Sequence, residues 1–484
     1  MTVLHNPCSI IDADTRKLVL RRHFFGRCGG AVGAAALASL LNPNGAANPA
    51  AAAGMPLRPH FAARAKRVIY LFMSGGPSHV DTFDHKPELQ KLDGQPIPAS
   101  FIKGVHFAQI SRRTKQPLLK ASPYKFQKHG QSGTLVSELL PNLASMVDEM
   151  AVVRSLRTTT FNHDPAVCLL NTGDSRVGRP TMGAWLSYGL GNESDELPSF
   201  VVLTSGVKVQ PLLTNYWTSG FLPTRHQGVE FRRSGDAVLF LSDPAGIDRG
   251  QRRKQIDLIN WMNRRRLDSF ADPEIETRIE QFELAFRMQA AAPEAVDLRQ
   301  ESAETLALYG ADPNGSSFAN NCLLARRLVE RGVRYVQLYD MGWDSHGDLV
   351  KNHNRQCRAI DKAAAGLLRD LKQRGLLEET LVIWGGEFGR TPVAEGGGNG
   401  WGRDHHPHGF TMWMAGGGIR GGVTHGATDE FGFHAAENKV DVHNFHATAL
   451  HLMGIDHTRL TYRHQGRDFR LTDIGGRVIK ELLA

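Results

Sequence analysis

Residues 380–392 read TLVIWGGEFGRTP, an apolar run that stops abruptly in glycine. The run from Thr380 to Trp384 is rich in β-branched and aromatic residues and predicts a buried strand, and the glycines predict a sharp turn after it. That turn carries one carboxylate, Glu387, and one guanidinium, Arg390. A strand that ends in this way is suited to holding a cation or polarising an anion, which makes this sheet edge the first candidate for a functional site.

Two other segments are rich in metal-binding side chains. Residues 342–348 read GWDSHGD, and residues 402–409 read GRDHHPHG. With Glu387 they offer hard oxygen and imidazole donors: Asp344, His346, Asp404, His405, His406 and His408. Such donors suit a divalent cation, so the sequence predicts a metal site for Zn, Mn, Ca or Mg.

Strand-like and helix-like segments alternate along the chain. Apolar runs predict strands at Arg67–Met73, Phe200–Leu203, Ala237–Phe240, Val333–Tyr339, Thr380–Trp384 and Phe410–Met414. Mixed charged and apolar segments predict helices that include Pro273–Ala291, Phe318–Arg331 and Asn354–Gly375. The alternation predicts an α/β fold with a mainly parallel sheet covered on both faces. Because ligands collect beyond the carboxyl ends of parallel strands, Asp81, Asp344 and Glu387 are expected to converge.

The composition fits an ordinary globular protein with a large core. The chain has 484 residues, 41% of them hydrophobic and 22% charged, and its net charge of +8 is spread without a run of five like charges. This diffuse excess argues against a nucleic-acid partner. Cys168, Cys322 and Cys357 are too widely spaced for a disulfide framework or a C-x-x-C metal clip.

The first 53 residues predict an export signal, and residues 54–484 a single domain. Arg21-Arg22 follows a basic stretch and precedes a Gly/Ala-rich apolar segment from Cys28 to Leu41, the pattern of a twin-arginine signal. That segment is shorter than the roughly 20 residues that cross a bilayer as a helix, so we expect cleavage rather than a stable membrane span. The expected product is periplasmic or secreted, with the twin-arginine export machinery as a partner.

Several motifs resemble a known family. GGPSHVDTFDHKP, GWDSH, GGEFGRTP, GRDHHP, AGGGIRGG and the tail from His446 to Asp473 are similar to the twin-arginine-exported bacterial family called domain of unknown function 1501. The helix and strand from Ala359 to Gly389 resemble a segment of the alkaline phosphatase and sulfatase-like superfamily. This resemblance implies an alkaline-phosphatase-like three-layer α/β/α fold with metals at the strand ends.

The superfamily resemblance also implies roles for particular residues. Glu387 stands at the aspartate of an Asp-His-Gly metal turn, whereas Phe388 replaces its histidine. Asp344 and His346 stand where the superfamily supplies a ligand pair. His405 corresponds best to the late histidine ligand, with Asp404, His406 and His408 as competitors, and Asp81 corresponds to the first-strand carboxylate.

The nucleophile remains open at this stage. His163 stands where sulfatases carry the residue that becomes formylglycine, so that chemistry is not expected. His163 is then a ligand, a phosphate-accepting nucleophile or a relic, and Thr158, Thr159 and Thr160 are alternative hydroxyl nucleophiles. Arg390 is expected to bind the transferring group, with Arg154 as a second candidate.

These observations predict a metal-dependent hydrolase of phosphate or sulfate esters, small or polysaccharide, acting outside the cytoplasm. The alternative is a non-catalytic, metal-stabilised binding protein. Each motif also has a structural interpretation: Asp344 as a helix cap, Glu387 with Arg390 as an ion pair, and the segment from His405 to His408 as a solvated loop.

Overall fold

The computed structural model describes residues 59–105, 107–108, 116–206, 214–232, 236–239, 241–270 and 272–484. The predicted signal segment lies outside these residues. Within them, no helix is both long enough and apolar enough to cross a membrane.

The described residues form a mixed α/β domain. Its strands in chain order are β1 Arg67–Ser74, β2 Phe126–His129, β3 Thr134–Ser137, β4 Met150–Arg157, β5 Phe200–Gly206, β6 Val229–Glu230, β7 Tyr335–Met341, β8 Thr380–Gly385, β9 Gly389–Arg390, β10 His405–His406, β11 Phe410–Ala415, β12 Val423–His425, β13 Ala427–Thr428, β14 Ala435–Glu437, β15 Val440–Asp441, β16 Tyr462–His464 and β17 Arg467–Phe469. Its helices are α1 His79–Thr82, α2 Pro87–Lys91, α3 Ala99–Ile102, α4 Pro141–Ala144, α5 His163–Thr172, α6 Met182–Leu190, α7 Arg249–Phe270, α8 Pro273–Val296, α9 Ala303–Tyr309, α10 Phe318–Glu330, α11 Leu349–Gln373 and α12 Val442–Leu452.

The central sheet has the order β12-β4-β11-β8-β1-β7-β5-β6, and β15 also pairs with β4. Strand β11 runs antiparallel to both β4 and β8, while the other pairings in this sheet are parallel. Strands β1, β4, β7 and β8 therefore point the same way, and their carboxyl ends share one edge of the sheet.

Helices cover both faces of the sheet because successive side chains of a strand point to opposite sides. In β1, Ile69 and Leu71 are fully buried in a cluster that includes the apolar faces of α10 and α11. On the other face, the Tyr70 ring lies 6.1 Å from the Phe445 ring of α12. Burying an aliphatic side chain such as Leu71 contributes about 1.5–3 kcal/mol to stability. The predicted three-layer α/β/α arrangement with a mainly parallel sheet is confirmed.

One predicted strand is wrong. Residues 237–239 form a bend and turn, and the amide of Arg232 donates to the carbonyl of Ala237 at 2.7 Å, which closes the segment on itself. Phe240 lies outside the described residues. The other predicted strands are present at β1, β5, β7, β8 and β11, and the three predicted helices correspond to α8, α10 and α11.

Candidate metal centre

Four strand ends build the candidate site. Strand β1 leads into Gly75 and Gly76, and β7 leads into the turn that carries Asp344 and His346. Strand β8 leads into Glu387, and the segment after β4 leads into His163, the first residue of α5. Because these strands are parallel, their turns meet at one edge, as the strand-end argument predicts.

Gly75 lets two of these turns touch. Its φ of +117° lies in the region that favours glycine, and a Cβ there would lie 2.3 Å from the backbone nitrogen of Asp344. The Gly75 amide donates to Oε1 of Glu387 at 2.9 Å. The β1 turn therefore fixes both carboxylates at the strand ends.

Strands β9 and β10 bring in the late histidines. They pair antiparallel, with His405 opposite Arg390. The side chains of His405 and His406 are 6% and 1% exposed, so the segment is not a solvated loop.

Three imidazoles are oriented by hydrogen bonds at Nδ1. The Nδ1 acceptors are Glu387 Oε1 for His163 at 2.6 Å, Glu395 Oε2 for His346 at 2.6 Å and the Phe161 carbonyl for His405 at 2.7 Å. Since these carboxylate and carbonyl oxygens accept, each Nδ1 carries the proton and donates it. The three Nε2 atoms are left to face the interior of the site, an arrangement typical of metal-binding histidines.

Asp344 lies at the point where the Nε2 atoms converge. Its Oδ1 is 3.1 Å from Nε2 of His346 and 3.4 Å from Nε2 of His405. Its Oδ2 is 3.4 Å from Nε2 of His163. Asp344 therefore contacts all three imidazoles and does not cap α11, whose N-cap residue is Asp348.

Burial and charge shift the pKa values of these groups. Burial alone raises the pKa of Asp344, but Arg390 and the histidine hydrogen bonds outweigh burial and hold that pKa well below its usual range. Burial lowers the pKa of His163 and of His346, but hydrogen bonds to carboxylates leave both raised, with that of His346 at about 9. The pKa of His405 is lowered to about 4, chiefly by burial.

The contact between His346 and His405 requires a positive charge. Their Nε2 atoms are 2.8 Å apart, although both Nδ1 atoms already donate elsewhere. Two nitrogen lone pairs cannot meet at this distance without a proton or another cation between them. In the protein alone, a protonated His346 donates to a neutral His405.

The donor atoms fit a divalent ion. Two overlapping groups have all their donor atoms within 4.8 Å of one another, one formed by His163, Asp344 and His405 and the other by His346, Asp404 and His405. Bonds of about 2.0–2.1 Å to a tetrahedral ion place neighbouring ligand atoms roughly 3.3 Å apart. The 3.1–3.4 Å separations around Asp344 match that spacing.

Glu387 has hydrogen-bond partners that sequence reasoning did not foresee. Its side chain is fully buried, and its partners are Gly75 and His163 rather than Arg390. Among the described residues its Oε2 has no hydrogen-bond partner. A buried carboxylate oxygen without a partner beside the histidines is consistent with an additional ligand atom.

Arg390, which the sequence predicts to bind the transferring group, contacts protein oxygens in this structure. It is fully buried, and its guanidinium donates to the carbonyls of Gly75, Gly76 and Arg403. Its Nη2 also lies 2.6 Å from Oδ1 of Asp344. Arg390 therefore positions Asp344 and the surrounding turns, because its donors are directed at protein oxygens.

Asp81, which the sequence predicts as a metal ligand, pairs with Arg403 in this structure. It lies in α1 with no exposed surface, and Arg403 donates to both of its oxygens, at 2.8 and 3.3 Å. The Ser78 hydroxyl donates to the same carboxylate. Asp81 belongs to neither donor group among the described residues. Its evident function is to neutralise a buried guanidinium.

The remaining candidates surround the site. The ring of Phe388, the residue that replaces the histidine of the Asp-His-Gly pattern, packs 4.7 Å from the ring of His405. Nε2 of His406 donates to the Phe433 carbonyl, away from Asp344. The hydroxyls of Thr158 and Thr160 are buried without a hydrogen-bond partner among the described residues.

Sequence reasoning missed Glu395 and Arg403. Glu395 orients His346, and Arg403 joins Asp81 to the segment that carries Asp404 and His405. Glu395 is a single acid in a glycine-rich loop, and only its position between the Glu387 turn and the histidine motif hinted at a role.

The fold and the grouped donors define an α/β domain with a candidate metal centre at the carboxyl edge of its sheet. The chain belongs to the family described as "Protein of unknown function (DUF1501)", whose model matches residues 65–483. No curated protein matches the chain.

Several solved structures are similar to the chain at low identity. A protein in the alkaline phosphatase superfamily from Vibrio parahaemolyticus is 10% identical, with a TM-score of 0.36 over 83% of this chain and 70% of that one. The lipoteichoic acid synthase LtaP from Listeria monocytogenes is 10% identical, with a TM-score of 0.33 over 85% and 76%. The PsFucS1 sulfatase from Pseudoalteromonas sp. is 12% identical, with a TM-score of 0.33 over 81% and 68%.

Proposed function

We propose that the protein is a metal-dependent hydrolase of phosphate or sulfate esters. The observation that carries the proposal is the convergence of three oriented Nε2 atoms on the Asp344 carboxylate. The ester, small or polysaccharide, is proposed to meet the protein outside the cytoplasm, because residues 1–53 have the pattern of an export signal.

The histidines are oriented for metal binding before any ion arrives. Each Nδ1 is held by an oxygen acceptor, so the ring orientation of all three is fixed. Two of these acceptors are the carboxylates of Glu387 and Glu395. Outer partners of this kind also raise the basicity of the ligand nitrogen.

Asp344 and His405 are the proposed core of the site, because Asp344 contacts all three imidazoles and His405 belongs to both donor groups. His163 is the third member of one donor group, and His346 and Asp404 are the other two members of the second group. Arg390 keeps Asp344 ionised and in place by its contact of 2.6 Å.

A divalent ion held here would act as a Lewis acid on a phosphoryl or sulfuryl oxygen and lower the pKa of a bound water or hydroxyl. The chain's own residues orient the ligands and exclude water. Phe388 contributes to this exclusion, since its ring covers His163 at 5.0 Å and His405 at 4.7 Å.

The test measures metal content and turnover on the same preparations. Protein loaded with Zn, Mn, Mg or Ca is analysed for bound metal and assayed with aryl phosphates, aryl phosphodiesters and aryl sulfates. Asp344→Asn and His405→Ala should each weaken metal binding at least about a hundred-fold, because losing an outer partner alone costs 10–100-fold. His129→Ala, in the β2–β3 hairpin, is the matched control and should keep the metal.

The second candidate is a metal-stabilised binding protein without catalytic activity. The contacts of Arg390 favour this candidate, because its guanidinium donates to protein oxygens and is not left to bind the transferring group. Bound metal without turnover of any ester class, in wild type and in His163→Ala, would support the binding protein. Turnover that requires the metal and falls in Asp344→Asn would exclude it.

A further inference from the structure

Helix α7 is buried along one face and has large apolar side chains on the opposite face. Ile256 and Asn263 are buried on the side of α8, and Glu283 of α8 accepts from Arg253 and from Asn260. This inner face accounts for the attachment of α7 to the domain. It does not account for the large apolar residues on the other side of the helix.

The outer face of α7 consists of Leu258, Trp261 and Met262. Their spacing of three and four residues puts them on one side of the helix. They are 59%, 52% and 52% exposed. Apolar side chains that are grouped in this way, rather than scattered singly, can form an interaction surface.

Helix α7 as a whole is strongly basic. Helix α7 has seven Lys or Arg and two Asp residues, a net charge of +5. Among the described residues, Arg252 and Arg253 are paired with carboxylates, whereas Lys254 and the run Arg264 to Arg266 have no carboxylate within 4 Å. The Arg265 guanidinium instead lies over the Trp261 ring, at 4.3 Å from its centre.

We propose that the outer face of α7 binds the surface of a bilayer that contains anionic lipids. Leu258, Trp261 and Met262 would enter the headgroup boundary, and the surrounding basic side chains would contact anionic headgroups. Tryptophan and long basic side chains suit this boundary, since both combine an apolar body with a polar end. A second copy is a poorer partner, because pairing two such faces brings like charges together.

The test is binding of the full chain to vesicles followed by sedimentation. Vesicles of equimolar phosphatidylglycerol and phosphatidylcholine should bind the protein, and vesicles of phosphatidylcholine alone should bind it weakly. The triple variant Arg264→Ala, Arg265→Ala, Arg266→Ala should reduce partitioning on the order of a hundred-fold, since each basic residue near an anionic surface contributes about tenfold or less.

A matched control removes the same charge elsewhere. Arg176, Arg299 and Arg463 are exposed and lie in surface ion pairs, so their replacement by alanine should change partitioning less than about threefold. Equal losses in the two triple variants would refute a specific role for α7 and indicate general charge attraction.

Trp261 provides an independent readout. The other six tryptophans are 9% exposed or less, so the vesicle-sensitive fluorescence should come from Trp261. Anionic vesicles should shift its emission to shorter wavelength and protect it from acrylamide, and Trp261→Phe should lose that response. Binding with an unchanged Trp261 spectrum, or a dimer in light scattering that Trp261→Ala disrupts, would overturn the proposal.

Discussion

Replacing Asp81 by Asn should destabilise the protein without removing the metal. The Asp81 carboxylate and the Arg403 guanidinium are both fully buried and joined by contacts of 2.8 and 3.3 Å. The amide retains one acceptor oxygen and no charge, so Arg403 keeps a buried positive charge without its counter-ion. Breaking a buried pair by removing one partner costs about 3–5 kcal/mol of unfolding free energy.

Urea unfolding of wild type and variant measures this loss, with metal content determined on the folded fractions. The matched control is Asp468→Asn, which breaks the exposed pair with Arg463 and should cost less than about 1 kcal/mol. In the double variant with Arg403→Met, the loss should be smaller than the sum of the single losses. Wild-type stability together with a lost metal would refute the reasoning and restore Asp81 as a ligand.

The destabilisation should also depend on pH. Burial alone raises the pKa of Asp81, but Arg403 outweighs burial and leaves it below the ordinary value of 3.8. The stabilisation from ionised Asp81 is therefore present above pH 3.8 and lost as the pH falls through the lower folded-state pKa. Wild type and Asp81→Asn should differ at pH 7 and converge in acid.

Three further outcomes are expected. Burial raises the pKa of Asp340 to about 6 from 3.8, so the folded chain holds a proton that the unfolded chain releases. This proton contributes up to about 3 kcal/mol of stability, which is present below pH 3.8 and lost as the pH rises through 6. The urea midpoint of Asp340→Asn should not show this dependence on pH. Glu395→Gln should weaken metal binding about 10–100-fold in calorimetric titrations, because Glu395 orients His346. Gly75→Ala should abolish metal binding, since the added Cβ would lie 2.3 Å from the backbone nitrogen of Asp344. The control is Gly104→Ala, where φ is also positive but no atom lies within 4 Å of the added Cβ. This control should lose about 1–2 kcal/mol of stability in thermal unfolding and keep the metal.

Local sequence patterns were sufficient to predict much of the fold. The apolar runs that became β1, β7 and β8 are buried on both faces, so they stand out in the sequence as continuous hydrophobic segments. Strand β4 was not predicted, because Arg154, Ser155 and Arg157 interrupt its apolar run. The antiparallel direction of β11 has no local signature, since it depends on how residues 386–409 return to the sheet.

The convergence of these side chains could be predicted where strand ends determine their position. Asp344, His346, Glu387 and His405 meet because their segments follow strands of the same sheet, and this follows from the order of elements. The roles of Asp81 and Arg390 could not be inferred, because they depend on partners distant in sequence, Arg403 and the β1-turn carbonyls.

Anomalous diffraction from crystals soaked in Mn or Zn tests the central claim most directly. The account predicts a peak about 2.0–2.2 Å from a carboxylate oxygen of Asp344 and from Nε2 of His405. This peak should disappear in Asp344→Asn while the fold is retained. Crystals of the wild-type protein with no peak among these donors, or with a peak at another place only, would contradict the account.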